Sequence, residues 1–254
     1  MKNININKNH SLMALQELVE QNIDKKLSYM PESFNQEQHQ ALQLFKQRIL
    51  LEKTIDETIS FNKKINFEIQ NQNLHLAHNA EDLVDVFTLR SEVYGSLNYQ
   101  NEFPDIIDGL NFDKFDNNSA ILFYKSNKIV TGTIRIIFDS PNKLPSEDKY
   151  CYNHMREKYN SICEISRLIV QNEKKGLNLE FKYLVNGIFN IFVNNKVDMP
   201  FLAIIEEHLK LYIRFGGMNI EETLENYGNL GHSVSILSWD ITQISNFFKK
   251  AFLK

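Results

Sequence analysis

The sequence predicts an α/β protein of three layers built on a mixed sheet. Two observations carry that reading. Short runs that alternate apolar and polar residues, the pattern of strands, interleave with segments whose apolar residues recur at helical spacing. After about residue 65 the order reads strand, helix, three strands, helix, strand, helix, strand. The chain before that point shows helical spacing only, so residues 1–64 form a helical N-terminal extension and residues 65–254 the main domain.

The elements follow in chain order. Leu12, Leu15, Leu18, Val19, Ile23 and Leu27 make a helical stripe that Pro31-Glu32-Ser33 interrupts. Leu42, Leu44, Phe45, Ile49, Leu50, Ile55 and Ile59 predict a second long amphipathic helix, placed to pack on the main domain or on a partner. Asn66–Gln70 and Leu74–Ala77 alternate as strands. Ala80–Tyr94 returns to helical spacing behind Asn79, a good N-cap residue. A polar loop with Pro104 carries Asp105, Asp108, Asp113 and Asp116. Ala120–Tyr124 and Ile129–Phe138 are strands joined by a turn at Ser126-Asn127. An irregular stretch leads to a strand at Glu164–Val170. Leu177–Val193 is a helix rich in Phe, Tyr, Leu and Ile, and Phe201–Ile205 a buried strand. Glu206–Phe215 is a helix closed by Gly216-Gly217. Ser233–Trp239 is a strand and Ile241–Phe252 the last helix.

Composition narrows the function classes. A net charge of -4 argues against a nucleic-acid binder, which needs a basic face. The two cysteines, Cys151 and Cys163, have no metal-ligand spacing and do not form a disulfide framework, so no metal site is expected. The first residues lack an apolar signal core, and no apolar run approaches the roughly 18 residues of a membrane span. A cytoplasmic protein is the expectation.

The most informative segment is Cys163-Glu164-Ile165-Ser166-Arg167-Leu168-Ile169-Val170. In a regular strand Glu164 and Arg167, three apart, would point to opposite faces. One charge would then enter the core unpaired, at high cost. A bulge or a cleft-lining position relieves the conflict, and bulges gather next to active sites.

Four pieces in order, Leu89-Arg90-Ser91-Glu92-Val93-Tyr94, Phe112-Asp113-Lys114-Phe115-Asp116, Gly132-Thr133-Ile134-Arg135 and Cys163-Glu164-Ile165-Ser166-Arg167, resemble the autoinducer synthase-like branch of the GNAT acyltransferases. That branch includes long-chain N-acyl amino acid synthases and acyl-homoserine-lactone synthases. The resemblance covers about residues 73–240. It implies a GNAT-like α/β/α fold with a mostly antiparallel sheet, an acyl-thioester donor and N-acylation of an amine. Two departures lean away from lactone synthesis. Asn111 stands where that branch carries Glu, and Tyr99 lies where it carries Trp. The segment Gln171–Gly176 has one glycine, fewer than the pyrophosphate-cradling loop of acetyl-CoA-binding relatives. That tilts the donor from CoA toward an acyl carrier protein, with no tightly bound cofactor.

N-acylation needs a neutral amine, and α-amino groups titrate near roughly 7.7–8.0. Glu164 is the candidate general base; a structural ion pair with Arg167 or Arg135 is the competing reading. A bulged strand near Leu168–Val170 would free a backbone N–H for the thioester oxyanion. Arg135 and Arg167 either hold carboxylates in place or bind a substrate carboxylate. Asp113 and Asp116 either bind the substrate ammonium or pair with Arg90, itself a candidate substrate-site residue, and Arg135 to anchor a loop; Asp105/Asp108 offers the same spacing. Phe112 and Ser166 complete the candidate acceptor site. Leu168, Val170, Phe181, Leu184, Phe189 and Phe201 are candidates for the acyl slot. The expected function is transfer of a fatty acyl group from an acyl carrier protein or CoA to an amino acid or related amine. A homoserine-lactone synthase using S-adenosylmethionine and a GNAT-fold binding module without turnover are the alternatives.

Overall fold

The computed structural model describes residues 36–68, 71–171 and 178–254. The chain divides into two compact units at Ile55/Asp56. That division falls within the first helix, α1 (Gln36–Asn62), which covers the second amphipathic stripe expected from sequence. The stripe at Leu12–Leu27 and the proline break after it lie outside the described residues.

The second unit is built on one seven-stranded sheet. Its elements are β1 (Leu74–Leu76), α2 (Ala80–Ser96), β2 (Ser119–Ser126), β3 (Ile129–Phe138), α3 (Asn153–Lys158), β4 (Ile162–Val170), α4 (Leu179–Asn194), β5 (Met199–Ile205), α5 (Glu206–Ile213), β6 (Met218–Leu224), β7 (Val234–Trp239) and α6 (Asn246–Phe252). The strands lie in the order β1-β2-β3-β4-β5-β7-β6. Only β4 and β5 run parallel; every other neighbouring pair is antiparallel. A parallel pair requires a crossover, and α4 supplies it. The mixed, mostly antiparallel α/β arrangement is the one expected.

Local chemistry explains most of the boundaries. Asn79 caps α2 by accepting from the Asp82 N–H, which satisfies one of the orphan donors of the first turn. Asn178 caps α4 by accepting from the Glu180 and Phe181 N–H groups. The β2–β3 hairpin turns through Asn127 and Lys128, both at positive φ (52° and 69°), one residue beyond the expected turn. Two successive positive φ values match the twist of the flanking strands.

Four elements differ from the sequence reading. Residues 66–68 are not a strand, because side chains satisfy their backbone instead: Asn195 bonds both the N–H and C=O of Asn66, and Asn190 accepts from the Glu68 N–H. Strand β6 has no apolar alternation to announce it. It is an edge strand, half exposed and bulged between Ile220 and Glu222, held by pairing with β7. Helix α3 sits inside the stretch read as irregular. The final helix is broken in two, since Asp240 caps a short turn at Ile241–Gln243 and Ser245 caps α6.

The core lies between the sheet and helices α4 and α6. Leu122, Ile134, Leu184, Ile188, Phe192, Leu237 and Trp239 are fully or almost fully buried there. Trp239 packs edge-on to Phe248 at 5.3 Å, and its Nε1 donates to the Gly216 carbonyl at 3.1 Å. Among the described residues no helix is long and apolar enough to cross a membrane.

Gly216 and Gly217 turn the chain from α5 into β6, both at positive φ (78° and 72°). A Cβ on Gly217 would collide with the Asp240 carbonyl oxygen, a backbone atom that cannot swing aside. Gly217→Ala should therefore cost at least about 2 kcal/mol. A urea titration with unchanged slope and a lower midpoint is the expected result. A midpoint equal to that of the native chain would show that the turn relaxes freely.

Candidate active site

The site begins with one extra residue in β4. From Thr133↔Ile169 to Arg135↔Ser166, β3 advances by two positions while β4 advances by three. The surplus is taken up at Arg167, which adopts a left-handed φ of 54°. Such a bulge puts two successive side chains on the same face. Glu164, Ser166 and Arg167 consequently share one side of the sheet. Ile165, Leu168 and Val170 turn to the other, against the main core. Parallel pairing with β5 stops at Ile165↔Leu202, although β4 continues to Val170 and β5 to Ile205. The two strands part at the bulge.

A charged cluster gathers on the Glu164 side. The Arg90 guanidinium, from α2, meets Asp116 at 2.8 Å, with both side chains fully buried. Arg135 Nη1 bridges Asp113 at 2.6 Å and Asp116 at 3.0 Å. Arg167 Nη2 reaches the second oxygen of Asp113 at 2.8 Å. Arg135 Nε donates to Ser166 Oγ at 3.0 Å. The loop that carries the aspartates is tied to itself, since Asp116 accepts from the Asp113 N–H and Asp113 from the Phe115 N–H. Rings of Tyr94 and Phe103 flank the Arg167 guanidinium, with centroids at 5.1 and 4.2 Å. Three arginines against two aspartates leave one positive charge in excess.

Burial and pairing compete across this cluster. Burial alone would raise the Asp113 carboxyl, but Arg135 and Arg167 hold it well below the usual carboxylate range. Burial would likewise lower the Arg135 guanidinium, yet Asp113 and Asp116 raise it. For Arg90 burial prevails over Asp116, and its pKa is lowered.

Glu164 is 2% exposed. Its Oε2 accepts from the Ser146 N–H at 3.0 Å and from Ser146 Oγ at 2.7 Å. Burial pushes its pKa up to about 7, against the lowering effect of the Ser146 bonds and of Arg135. Glu164 is thus shifted in the opposite direction to Asp113, which its arginine partners lower.

A cavity of about 780 Å³ opens where β4 and β5 separate. On one face of the sheet it is lined by Asp113, Arg135, Glu164, Ser166 and Arg167, with Tyr94, Phe103, Phe112 and Tyr227 around them. On the other it is lined by Leu168, Val170, Phe181, Ile188, Tyr212, Phe215 and Trp239. Because its walls come from both faces, the cavity passes through the sheet. Its charged and apolar walls meet where β4 and β5 separate, beyond Ile165 and Leu202.

The expected site residues fall into three groups. Glu164, Arg167, Arg135, Asp113, Phe112, Ser166, Leu168, Val170 and Phe181 all line this cavity. Arg90 and Asp116 stand behind Asp113, fully buried, as its supports. Leu184, Phe189 and Phe201 belong to the packed core rather than the cavity wall. Leu184 presses against Gly132, Phe189 packs on Phe248 at 5.5 Å, and Phe201 lies edge-on to Tyr152 at 4.8 Å. Asp105 does not meet the arginines; it accepts from Ser91, the Gly109 N–H and Asn111. The Gln171–Gly176 segment lies outside the described residues beyond Gln171. Sequence reasoning missed Ser146, Tyr152 and Tyr227. Pro145-Ser146 carries a turn signal, but nothing in the sequence places that turn against β4. Among the described residues, no group of three or more His, Cys, Asp or Glu side chains is arranged to hold a metal ion.

No curated protein matches the chain. Among solved structures, FeeM, an N-acyl amino acid synthase from uncultured soil microbes, is 17% identical, with a TM-score of 0.48 over 65% of this chain and 92% of that one. The acyl-homoserine-lactone synthase LasI is 16% identical, with a TM-score of 0.49 over 70% and 93%. BjaI, a CoA-dependent acyl-homoserine-lactone synthase solved with SAM and isopentyl-CoA, is 16% identical, with a TM-score of 0.49 over 63% and 77%. The sequence model of the family "N-acyl amino acid synthase FeeM" matches residues 85–240, a span that holds the whole charged cluster and Glu164. With more than half of its length matched, the chain belongs to this family of acyltransferases.

Proposed function

We propose that this cavity transfers a fatty acyl group from a thioester to the amine of an amino acid. The observation that carries the reading is Glu164: a buried carboxyl, pushed up to about 7 by burial, that lines a cavity with both charged and apolar walls. The acyl chain occupies the apolar side, against Phe181, Ile188 and Phe215. The acceptor occupies the charged side. Arg167 offers the charge for its carboxylate, while Arg135 fixes Asp113 and Ser166.

In the reaction the amine nitrogen attacks the thioester carbonyl and a C–N bond forms. Glu164 accepts the amine proton. The tetrahedral oxyanion needs a donor, and the β4 edge after the bulge, Leu168–Val170, has no β5 partner there and can supply a backbone N–H. The C–S bond then breaks, Glu164 gives its proton to the departing sulfur, and the thiol leaves with the carboxylate restored. The thioester is already activated, so no covalent intermediate is required.

The donor in this reading is an acyl carrier protein. Its support is the glycine-poor sequence Gln171–Gly176, which suits a single pantetheine phosphate better than a CoA pyrophosphate. Turnover with acyl carrier protein should exceed turnover with the matching acyl-CoA at equal concentration. Mass spectrometry of lipids from an expressing bacterium should show an N-acyl amino acid. An acyl lactone would instead assign lactone synthesis, and no product with any donor and acceptor would leave a binding module.

Glu164→Gln should lower kcat/KM by about 100-fold or more. The pH profile has a definite sign. The base acts when deprotonated, so kcat/KM should rise with pH through about 7 and the variant should lose that limb. The same shift bears on stability. Glu164 is held protonated above its ordinary value of 4.5, so its contribution is full below that pH and is lost as pH rises through about 7. Unfolding of Glu164→Gln should show a flatter dependence across that window. Retained activity in the variant would remove Glu164 from the mechanism.

A further inference from the structure

We propose that Ser146 is the positioning residue for Glu164, presented by a turn that Arg156 locks in place and backed by the Tyr152 hydroxyl. The proposal rests on the reading of Glu164 as the base. Ser146 belongs to a short 3-10 turn, Pro145–Asp148, that precedes β4 by a helix and a loop. It is 1% exposed and does not line the cavity, so it acts on substrate only through Glu164.

The hydrogen bonds have one consistent direction. Ser146 gives both its N–H and its Oγ–H to the same oxygen, Glu164 Oε2. With Glu164 ionised, the Ser146 hydroxyl proton is thereby committed, which leaves the Tyr152 hydroxyl, 2.6 Å from Ser146 Oγ, as the donor of that contact. The chain runs from Tyr152 to Ser146 to Glu164. Among the described residues Oε1 receives no hydrogen bond, and it is left for the amine proton. A carboxylate held by one oxygen keeps its plane and offers the other.

One guanidinium holds the turn. Arg156 of α3 forks to both oxygens of Glu147 at 2.8 and 2.7 Å. It also forks to both oxygens of Asp139, just after β3, at 2.8 and 2.7 Å. Glu147 closes back on the Leu144 N–H at 3.1 Å. Doubly bidentate pairing fixes direction as well as distance. The turn is thus tied to the end of β3, the strand beside β4. Lysine at 156 could not make the same fork.

The other polar groups facing Glu164 come from four more places: Arg135 on β3, Asp113 in the loop before β2, Tyr227 between β6 and β7, and Cys163 in β4 itself. None of these gives Glu164 a hydrogen bond. Ser146 and Tyr152 are therefore the groups that direct the carboxylate.

The test is the acid limb of kcat/KM against pH in the full chain. Hydrogen bonds to a carboxylate favour its charged form. Ser146→Ala should therefore move the limb up by about 1 pH unit, with a loss of about fivefold at pH 7 that largely recovers at pH 9. Ser146→Thr, which restores the hydroxyl, should return the limb toward its native place. Tyr152→Phe keeps the ring against Phe201 and removes only the donor, so it should shift the limb the same way by less. It also serves if Ser146→Ala fails to fold. Arg156→Gln should shift it too, and Arg156→Lys should not restore it. An unmoved limb in both Ser146→Ala and Tyr152→Phe, whatever the fall in rate, would overturn the proposal. If Glu164→Gln is inactive while those limbs stay in place, this inference fails and the base survives; if Glu164→Gln keeps the limb, the base itself fails.

Discussion

The arrangement depends on one surplus residue in β4. Without it Glu164 and Arg167 would face opposite ways, and one of them would be buried in the apolar core. With it both stand on the side of Asp113, and β4 peels away from β5. The same irregularity thus aligns the charges and opens the sheet. The left-handed φ at Arg167 is unfavourable for a residue with a long side chain. Its persistence is explained by what over-determines it: the ion pair to Asp113 and the two aromatic rings flanking the guanidinium.

The buried ion network is a support rather than a source of net stability. Desolvating five charged groups costs more than any one pair returns, and removing a single partner would leave a charge stranded, at about 3–5 kcal/mol. What the network supplies is direction. Arg90 and Arg135 hold Asp116, Asp116 holds the Asp113 N–H, and Asp113 receives Arg135 and Arg167. The loop that carries both aspartates forms one wall of the cavity. Glu164 stands apart because its hydrogen bonds come from neutral groups. Arg135 and Arg167 hold Asp113 down as an anion, whereas burial pushes Glu164 up to about 7.

Much of this was legible in the sequence, and the misses have physical causes. The conflict between Glu164 and Arg167 pointed to a bulge or a cleft-lining position, and the structure has both: β4 bulges at Arg167 and both side chains line the cavity. The choice of Asp113/Asp116 over Asp105/Asp108 needed coordinates, because both pairs have the same spacing and only contact with the arginines tells them apart. The acyl-slot candidates divide for a similar reason. Phe181 and Phe189 sit on one helix two turns apart, and apolar character does not reveal which faces the gap in the sheet and which faces Phe248. Strand β6 hid because an edge strand with a solvated face carries Asn, Glu and Thr where a buried strand would carry apolar residues. Ser146 and Tyr152 hid because long-range pairing between a turn and a strand leaves no local pattern.

The central claim is that a carboxyl in this cavity takes and gives a proton near neutral pH. Carbon-13 NMR of the glutamate side chains, with the Glu164 signal identified by its loss in Glu164→Gln, measures this directly. A midpoint close to 7 is expected, well above the ordinary glutamate value of 4.5. A midpoint near the ordinary 4.5 would contradict the claim and leave Glu164 a structural anion like Asp113.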